Sequence, residues 1–244
     1  MRTLDVKKIT ETIRRMTIEV NTDLPQDVEQ ALVEGRAKEE SPFGQYCLDQ
    51  ILANAKLARC EKQAMCQDTG TMVVYLNIGQ DLHLVGGDLT EAVNEGVRLG
   101  YDEGYLRRSM VEEPVFDRVN TGDNTPAVIH INIVPGDKLE LTLMPKGGGA
   151  ENMGALGMLK PTAGKDGVVD FVVDAVSRAG GNPCPPIIVG VGIGGTMEKA
   201  TEIAKEALAR PIGSSHADPR YAAMEAEILE KVNKLGIGPQ GLGG

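Results

Sequence analysis

Apolar residues recur every three or four positions over residues 4–20, at Ile9, Ile13, Met16 and Val20, and this period predicts an amphipathic helix. Residues 21–25 break it, and Pro25 is placed to start a second helix carrying Val28 and Leu32. Ser41-Pro42 reads as an N-cap followed by proline at the first helical position. It opens a third helix to about Arg59, with Cys47, Ile51 and Leu57 among its apolar residues. The helical first quarter ends near Cys66, and the period then changes. Residues 71–78 (TMVVYLNI) are β-branched and apolar, and predict a strand. Residues 89–99 predict a helix opened by Thr90, and 126–134 (PAVIHINIV) a second strand. The turn Pro135-Gly136-Asp137-Lys138 leads into strict alternation over 139–144, so these last two strands are expected to form an antiparallel hairpin. Helices are predicted over 166–179, 196–209 and 217–235, the last aligning Met224, Ile228, Val232 and Leu235. Residues 186–191 predict a buried strand. The fold class implied is mixed α/β: a helical N-terminal region followed by a mixed sheet flanked by helices.

With 244 residues and neither repeat nor linker, one domain spanning 1–244 is the simplest organisation. Aromatic residues make up 3% and Trp is absent, so the core must come from Val, Ile, Leu, Met and Ala. The net charge of −10 argues against nucleic acid as a partner, because phosphate binding needs a basic face. A small anion needs only a few local cations or backbone N–H groups. Residues 1–5 lead directly into an amphipathic segment, without the apolar stretch of a signal peptide, and no run reaches the length of a membrane span. The expectation is a cytoplasmic protein. The ending Gly236-Ile237-Gly238-Pro239-Gln240-Gly241-Leu242-Gly243-Gly244 is a Gly-rich loop with no element after it; composition alone fits a truncated chain or a disordered tail.

Four cysteines, Cys47, Cys60, Cys66 and Cys184, match no zinc-finger spacing, and in a reducing compartment they are free, metal-binding or catalytic. Cys66-Gln67-Asp68-Thr69-Gly70 places a thiol beside an amide and a carboxylate between a helix and a strand; the bland alternative is a small buried hydrophobe. Asn182-Pro183-Cys184-Pro185-Pro186 holds a thiol in stiff backbone stripped of N–H donors, an environment suited to an iron–sulfur ligand. Lys146-Gly147-Gly148-Gly149 follows a strand and exposes N–H groups beside a positive charge, as an anion site or a plain flexible turn. Gly190-Val191-Gly192-Ile193-Gly194-Gly195 satisfies the dinucleotide pattern G-x-G-x-x-G. It lacks the acidic residue about twenty positions on, where Arg210-Pro211-Ile212-Gly213 stands instead. Arg107 and Arg108 precede Asn120-Thr121-Gly122-Asp123-Asn124-Thr125-Pro126, and an arginine near a cysteine cluster can clamp a carboxylate through two hydrogen bonds. His130 alternates within a strand and reads as structural.

Taken together, Cys66 to Gly70, Asn120 to Ala127, Lys146 to Gly149, Cys184-Pro185-Pro186 and Ile193-Gly194-Gly195-Thr196 resemble, in order and over essentially the whole chain, the class I fumarases and related tartrate dehydratases. The match is to the alpha subunit of the two-subunit form. The resemblance implies a 4Fe-4S cluster held by three cysteines, with one iron open to substrate. Cys66 and Cys184 match two of the ligands; the third, and a histidine near the substrate, lie in the family beyond the Gly-Pro-Gln-Gly-Leu-Gly-Gly segment, which favours the truncated reading of the ending. By the same resemblance Gln67, Asp68, Arg107 and the backbone of Gly148 line the substrate pocket. Gln67 and Asp68 are the catalytic candidates there, with Asp68 tuning or sharing a proton transfer whose base comes from a fumarase-type beta subunit. The implied activity is reversible hydration of fumarate to malate in a hetero-oligomer, expected only with the missing C-terminal segment and the beta subunit in place. The alternatives are an L-tartrate dehydratase alpha subunit and a non-catalytic fragment that docks the beta subunit during assembly.

Overall fold

The structure, a computed structural model, describes residues 2–244. In chain order the elements are β1 (Arg2–Asp5), α1 (Val6–Thr22), α2 (Gln26–Lys38), α3 (Pro42–Glu61), β2 (Thr71–Gly79) and β3 (Leu82–Val85). There follow α4 (Leu89–Glu103), β4 (Val128–Val134), β5 (Leu139–Lys146), the single turn α5 (Gly148–Glu151), α6 (Gly164–Ala179), α7 (Met197–Ala207) and α8 (Pro219–Asn233). Short 3-10 turns lie at Pro161–Ala163 and Pro239–Gly241. The mixed α/β class read from the pattern holds. The chain divides into two compact units, Met1–Pro25 with Ala53–Gly148 and Gln26–Leu52 with Gly149–Gly244.

In the first unit a three-stranded sheet has the order β4-β2-β5, with β4 parallel and β5 antiparallel to β2. The hairpin expected between β4 and β5 does not form, because β2 lies between them. Its run Met72, Val73, Val74, Tyr75 and Leu76 is buried on both faces, as a central strand requires. The turn after β4 instead passes over the end of β2: Gly79 N–H donates to Lys138 O (2.8 Å) and Asp81 N–H to Gly136 O (2.9 Å). Two short strands escaped the sequence reading, β1 and β3, which pair in parallel.

One face of the sheet is covered by α1 and α4. The Asp5 carboxylate caps α1 by accepting from Lys7 N–H, and Asp88, not Thr90, caps α4 by accepting from Glu91 N–H. The two helices cross closely because Gly96 and Gly100 present no side chain: a Cβ at Gly100 would stand 2.6 Å from Thr17 Cβ. Ile9, Ile13, Met72, Val74, Leu76, Val93, Val97 and Tyr101 form the core between them. Burying each such large apolar side chain stabilises by about 1.5–3 kcal/mol.

In the second unit α6 and α8 pack through Val169, Val172, Met224 and Ile228, the last two at the spacing predicted for α8. The Ser41 cap holds, its Oγ accepting from Gly44 N–H at 3.3 Å. The strand predicted over 186–191 is absent: the segment belongs to no ladder among the described residues, and Ile188 and Val189 are exposed. Its glycines explain what the segment does instead. A Cβ at Gly190 or Gly192 would lie 2.0 Å from the carbonyl oxygen of Ala204 or Ala200, so this backbone rests directly on α7. Close packing accounts for the G-x-G-x-x-G pattern without a nucleotide.

Candidate functional site

The Cys66–Gly70 segment leaves α3 and enters β2, and its polarity changes residue by residue. Cys66 and Gln67 are exposed, Asp68 is half-buried, and Thr69 and Gly70 are buried. What holds the segment comes from below. The Tyr101 hydroxyl lies 2.7 Å from Thr69 O and 3.0 Å from Gly70 O, donating to these carbonyls from the core. Burial pushes the Tyr101 phenol up to about 12, and the Asp68 carboxylate adds to the shift by disfavouring a second negative charge. Thr69 Oγ1 donates to Arg107 O (2.8 Å), tying the segment to the chain that follows α4. Above this anchor, Asp68 Oδ1 accepts from Gly70 N–H (3.1 Å), and the Asp68 N–H donates to Cys66 Sγ (3.4 Å). The Gln67 side-chain oxygen lies 3.6 Å from the same sulfur.

The Gly-rich turn after β5 meets this segment at Asp68. A Cβ on Gly147 would sit 3.0 Å from Asp68 Oδ2, and one on Gly148 would sit 3.9 Å away. Gly70, at φ +68°, has a left-handed backbone and no room for a side chain, since a Cβ would stand 2.4 Å from Lys146 C and O. Of the residues expected to line a substrate pocket, Gln67, Asp68 and Gly148 are thus gathered, and Arg107 joins them through its carbonyl while its side chain is exposed.

Asn120-Thr121-Gly122-Asp123-Asn124-Thr125-Pro126 is the frame of this site. Asn124 is fully buried at φ +62°. Its Oδ1 accepts from Ser109 N–H (2.8 Å) and Met110 N–H (3.2 Å), and its Nδ2 donates to Gly70 O (2.9 Å). One side chain therefore fastens the segment behind Arg107 to the segment behind Asp68. Burial raises the Asp123 carboxyl, but hydrogen bonds from the Thr125 hydroxyl and N–H outweigh it and hold Asp123 below its ordinary range. Arg108 is occupied elsewhere, bonded to Gly122 O and to the Asp102 carboxylate. Tyr101 and Asn124 were missed as site residues in the sequence. Tyr101 falls just past the helix predicted over 89–99 and carries no site signal there, while Asn124 had one available signal, an Asn within a turn-rich polar run.

Cys184 belongs to the second unit and lies just beyond the C-terminal end of α6. Its thiol is exposed, its backbone is left-handed at φ +57°, and its N–H donates to Gly181 O at 3.0 Å. Pro185 beside it is buried, and the Pro185–Pro186 peptide is cis. Part of the Gly-rich ending packs against this loop. Pro239 is buried, and Gln240 donates twice to Pro185 O, from its backbone N–H (2.7 Å) and from Nε2 (3.0 Å).

The donor chemistry suits an iron–sulfur ligand at both positions. Cys66 and Cys184 are free, exposed thiols, as is Cys60 at the end of α3, whereas Cys47 is buried; exposure alone does not separate Cys60 from the other two. Thiolate is the ligand iron–sulfur clusters use, and an N–H directed at the sulfur, as Asp68 directs one at Cys66, tunes such a ligand. Among the described residues no three His, Cys, Asp or Glu side chains gather into a group that could hold a metal ion. Nor is any helix among them long and apolar enough to cross a membrane.

Comparison with known proteins gives a consistent result. The model of the fumarate hydratase (fumerase) family matches residues 10–244. A "Putative L(+)-tartrate dehydratase subunit alpha" of Methanocaldococcus jannaschii is 41% identical over 241 residues, covering 97% of this chain and 85% of its own length. The L(+)-tartrate dehydratase subunit alpha of Escherichia coli strain UTI89 is 36% identical over 243 residues, 98% of this chain and 79% of its own length. The protein of the same name in Shigella sonnei strain Ss046 gives the same identity and coverage.

Proposed function

We infer that this chain, which belongs to the fumarate hydratase (fumerase) family, is the alpha subunit of an iron–sulfur hydro-lyase acting on an L(+)-tartrate-type hydroxy-dicarboxylate. The observation that carries the reading is the Cys66–Gly70 segment. It places an exposed thiol, an amide and a half-buried carboxylate side by side, fastened from beneath by Tyr101, Thr69 and Asn124. A segment so held keeps its reactive groups in one geometry, which is what positioning catalysis needs.

Cys66 and Cys184 are the thiolates this chain contributes to a 4Fe-4S cluster. When bound, the cluster supplies Lewis acidity that polarises the C–O bond to be broken, without net electron transfer. The protein groups do the rest. Arg107 pairs with a substrate carboxylate, offsetting the repulsion that a chain of net charge −10 exerts on a dianion. The turn Gly147–Gly148, open beside Asp68, offers backbone N–H groups to the same anion. Gln67 hydrogen-bonds and orients the substrate hydroxyl, while Asp68 beside it tunes or shares the proton transfer with a base from the partner. That partner is a beta subunit, in keeping with the subunit alpha names of the relatives.

The relatives' names favour tartrate, and the family description favours the second reading, reversible hydration of fumarate to malate. The chemistry separates them. Loss of water from tartrate leaves an enol that becomes a 2-oxo acid, whereas loss of water from malate leaves only an alkene. The test is to produce the chain with its beta subunit without oxygen, then follow 2-oxo acid formation from L(+)-tartrate and alkene absorbance from malate. Tartrate is expected to be preferred by about 10-fold or more in kcat/KM, as a site that hydrogen-bonds an added hydroxyl discriminates against its absence. Preference for malate would move the substrate to the second reading. If Cys66→Ser and Asp68→Asn complexes stay fully active, the chain is an assembly module and the reading fails.

A further inference from the structure

The thiol loop in the second unit has a weakness built into its own sequence. Pro183, Pro185 and Pro186 cannot donate, so within Asn182–Pro186 only the N–H groups of Asn182 and Cys184 are available to fasten the backbone. Both are spent close by, on Ala179 O (3.1 Å) and Gly181 O (3.0 Å). Everything after Cys184 must therefore be held through carbonyls, and the Pro185 carbonyl is the one that is held. Gln240 reaches it from 55 residues away with two donors at once, backbone N–H (2.7 Å) and Nε2 (3.0 Å). The approach needs close backbone contact at its base: a Cβ on Gly241 would stand 2.7 Å from Gly181 Cα. It also needs Gln240 to adopt φ +56°, which aims both donors the same way and disfavours most residues. The 3-10 turn that presents Gln240 is closed locally, with Gly241 N–H on Gly238 O (3.0 Å) and Gly243 N–H on Ile237 O (2.9 Å).

We propose that Gln240 is a positioning residue for the Cys184 thiolate, acting through the Pro185 carbonyl. This rests on the reading of Cys184 as a cluster ligand, but its first test does not. In iron-free chain with the beta subunit, the rates of alkylation of Cys184 and Cys66 by iodoacetamide are compared by mass spectrometry. Gln240→Gly keeps the backbone donor and accepts the left-handed φ, removing only the side chain. Gln240→Glu keeps length and packing but loses the donor. Both variants are expected to raise alkylation of Cys184 by about 5-fold, the effect of one net hydrogen bond of about 1 kcal/mol, with Cys66 unchanged. Equal rates at Cys184 in wild type and both variants would overturn the proposal. So would a Glu variant indistinguishable from wild type beside an altered Gly variant, because packing alone would then suffice.

The second arm is cluster retention. After anaerobic reconstitution with iron and sulfide, the variants are expected to lose iron to a chelator about 10-fold faster, in the range found for residues that orient metal ligands. Retention equal to wild type would refute the positioning role. Wild-type protein carrying all three cysteine ligands that takes up no iron and sulfide would instead refute the cluster reading, leaving the alkylation result to judge Gln240 by itself.

Discussion

Asn124 is where the frame of the candidate site can be broken by one substitution. Asn124→Ala strips the Ser109 and Met110 N–H groups of their acceptor and leaves Gly70 O with the Tyr101 hydroxyl alone. A buried polar group left unpaired costs about 1–3 kcal/mol, and the two N–H groups, whose bonds are part-buried, cost towards the low end of that range each. An alanine held at φ +62° adds about 1–2 kcal/mol of backbone strain. With water repaying part of the loss, Asn124→Ala should destabilise by about 4 kcal/mol, and Asn124→Gly, free of the strain, by about 1 kcal/mol less. Against a typical domain stability of about 5–15 kcal/mol this is a large fraction. Urea unfolding by circular dichroism gives the global change, and amide exchange over residues 69–76 and 107–111 reads the local one. Exchange should accelerate in both stretches together, because Asn124 joins them. If both variants unfold within about 1 kcal/mol of wild type, or if only one stretch loosens, the reasoning is wrong. A functional consequence follows: the chain behind Arg107 loses an anchor, so KM for the dicarboxylate should rise in Asn124→Gly even at temperatures where it stays folded.

Tyr101→Phe tests the other anchor. Its phenol is raised by burial to about 12 from an ordinary value of 10.0, so its contribution is fully present below pH 10 and lost as pH rises towards 12; the alkaline fall in stability should be shallower in the Phe variant, as read from urea midpoints across that range. Gly70→Ala should cost more than about 2 kcal/mol, from the positive φ and from the 2.4 Å approach to Lys146, and a thermal scan showing no loss would contradict the contact. Arg107→Lys keeps the charge but loses the fork, and steady-state kinetics should show KM raised about 10-fold with kcat changed less; an unaltered KM would remove Arg107 from substrate binding.

Much of the fold was legible because it rests on local regularities. The apolar run of β2 marks a doubly buried strand, and the spacing of Met224, Ile228 and Val232 marks the buried face of α8. The β4–β5 hairpin was misread for a physical reason: turn chemistry is local, whereas β2, inserted between the two strands, is supplied from more than 50 residues earlier. The segment 186–191 has the composition of a strand, but composition cannot provide a partner, and Gly190 and Gly192 commit its backbone to α7.

The candidate site divides along the same line. Its reactive groups were legible because they occur in compact motifs whose residue types make sense together: a thiol beside an amide and a carboxylate, and a thiol between prolines. The groups that hold them were not. Tyr101 bonds a carbonyl 32 residues before it, Asn124 one 54 residues before it, and Gln240 one 55 residues before it. In each case the receiving group is a main-chain carbonyl, which every residue has and which no side-chain pattern can single out. Reactive side chains must sit where substrate or cluster can reach them, so their own loops are exposed and short of internal partners. Fastening such a loop therefore falls to donors arriving from elsewhere in the chain. Gln240 fits that requirement at Cys184 as Tyr101 and Asn124 fit it at Cys66, and the proline content of the Cys184 loop makes the need greatest there.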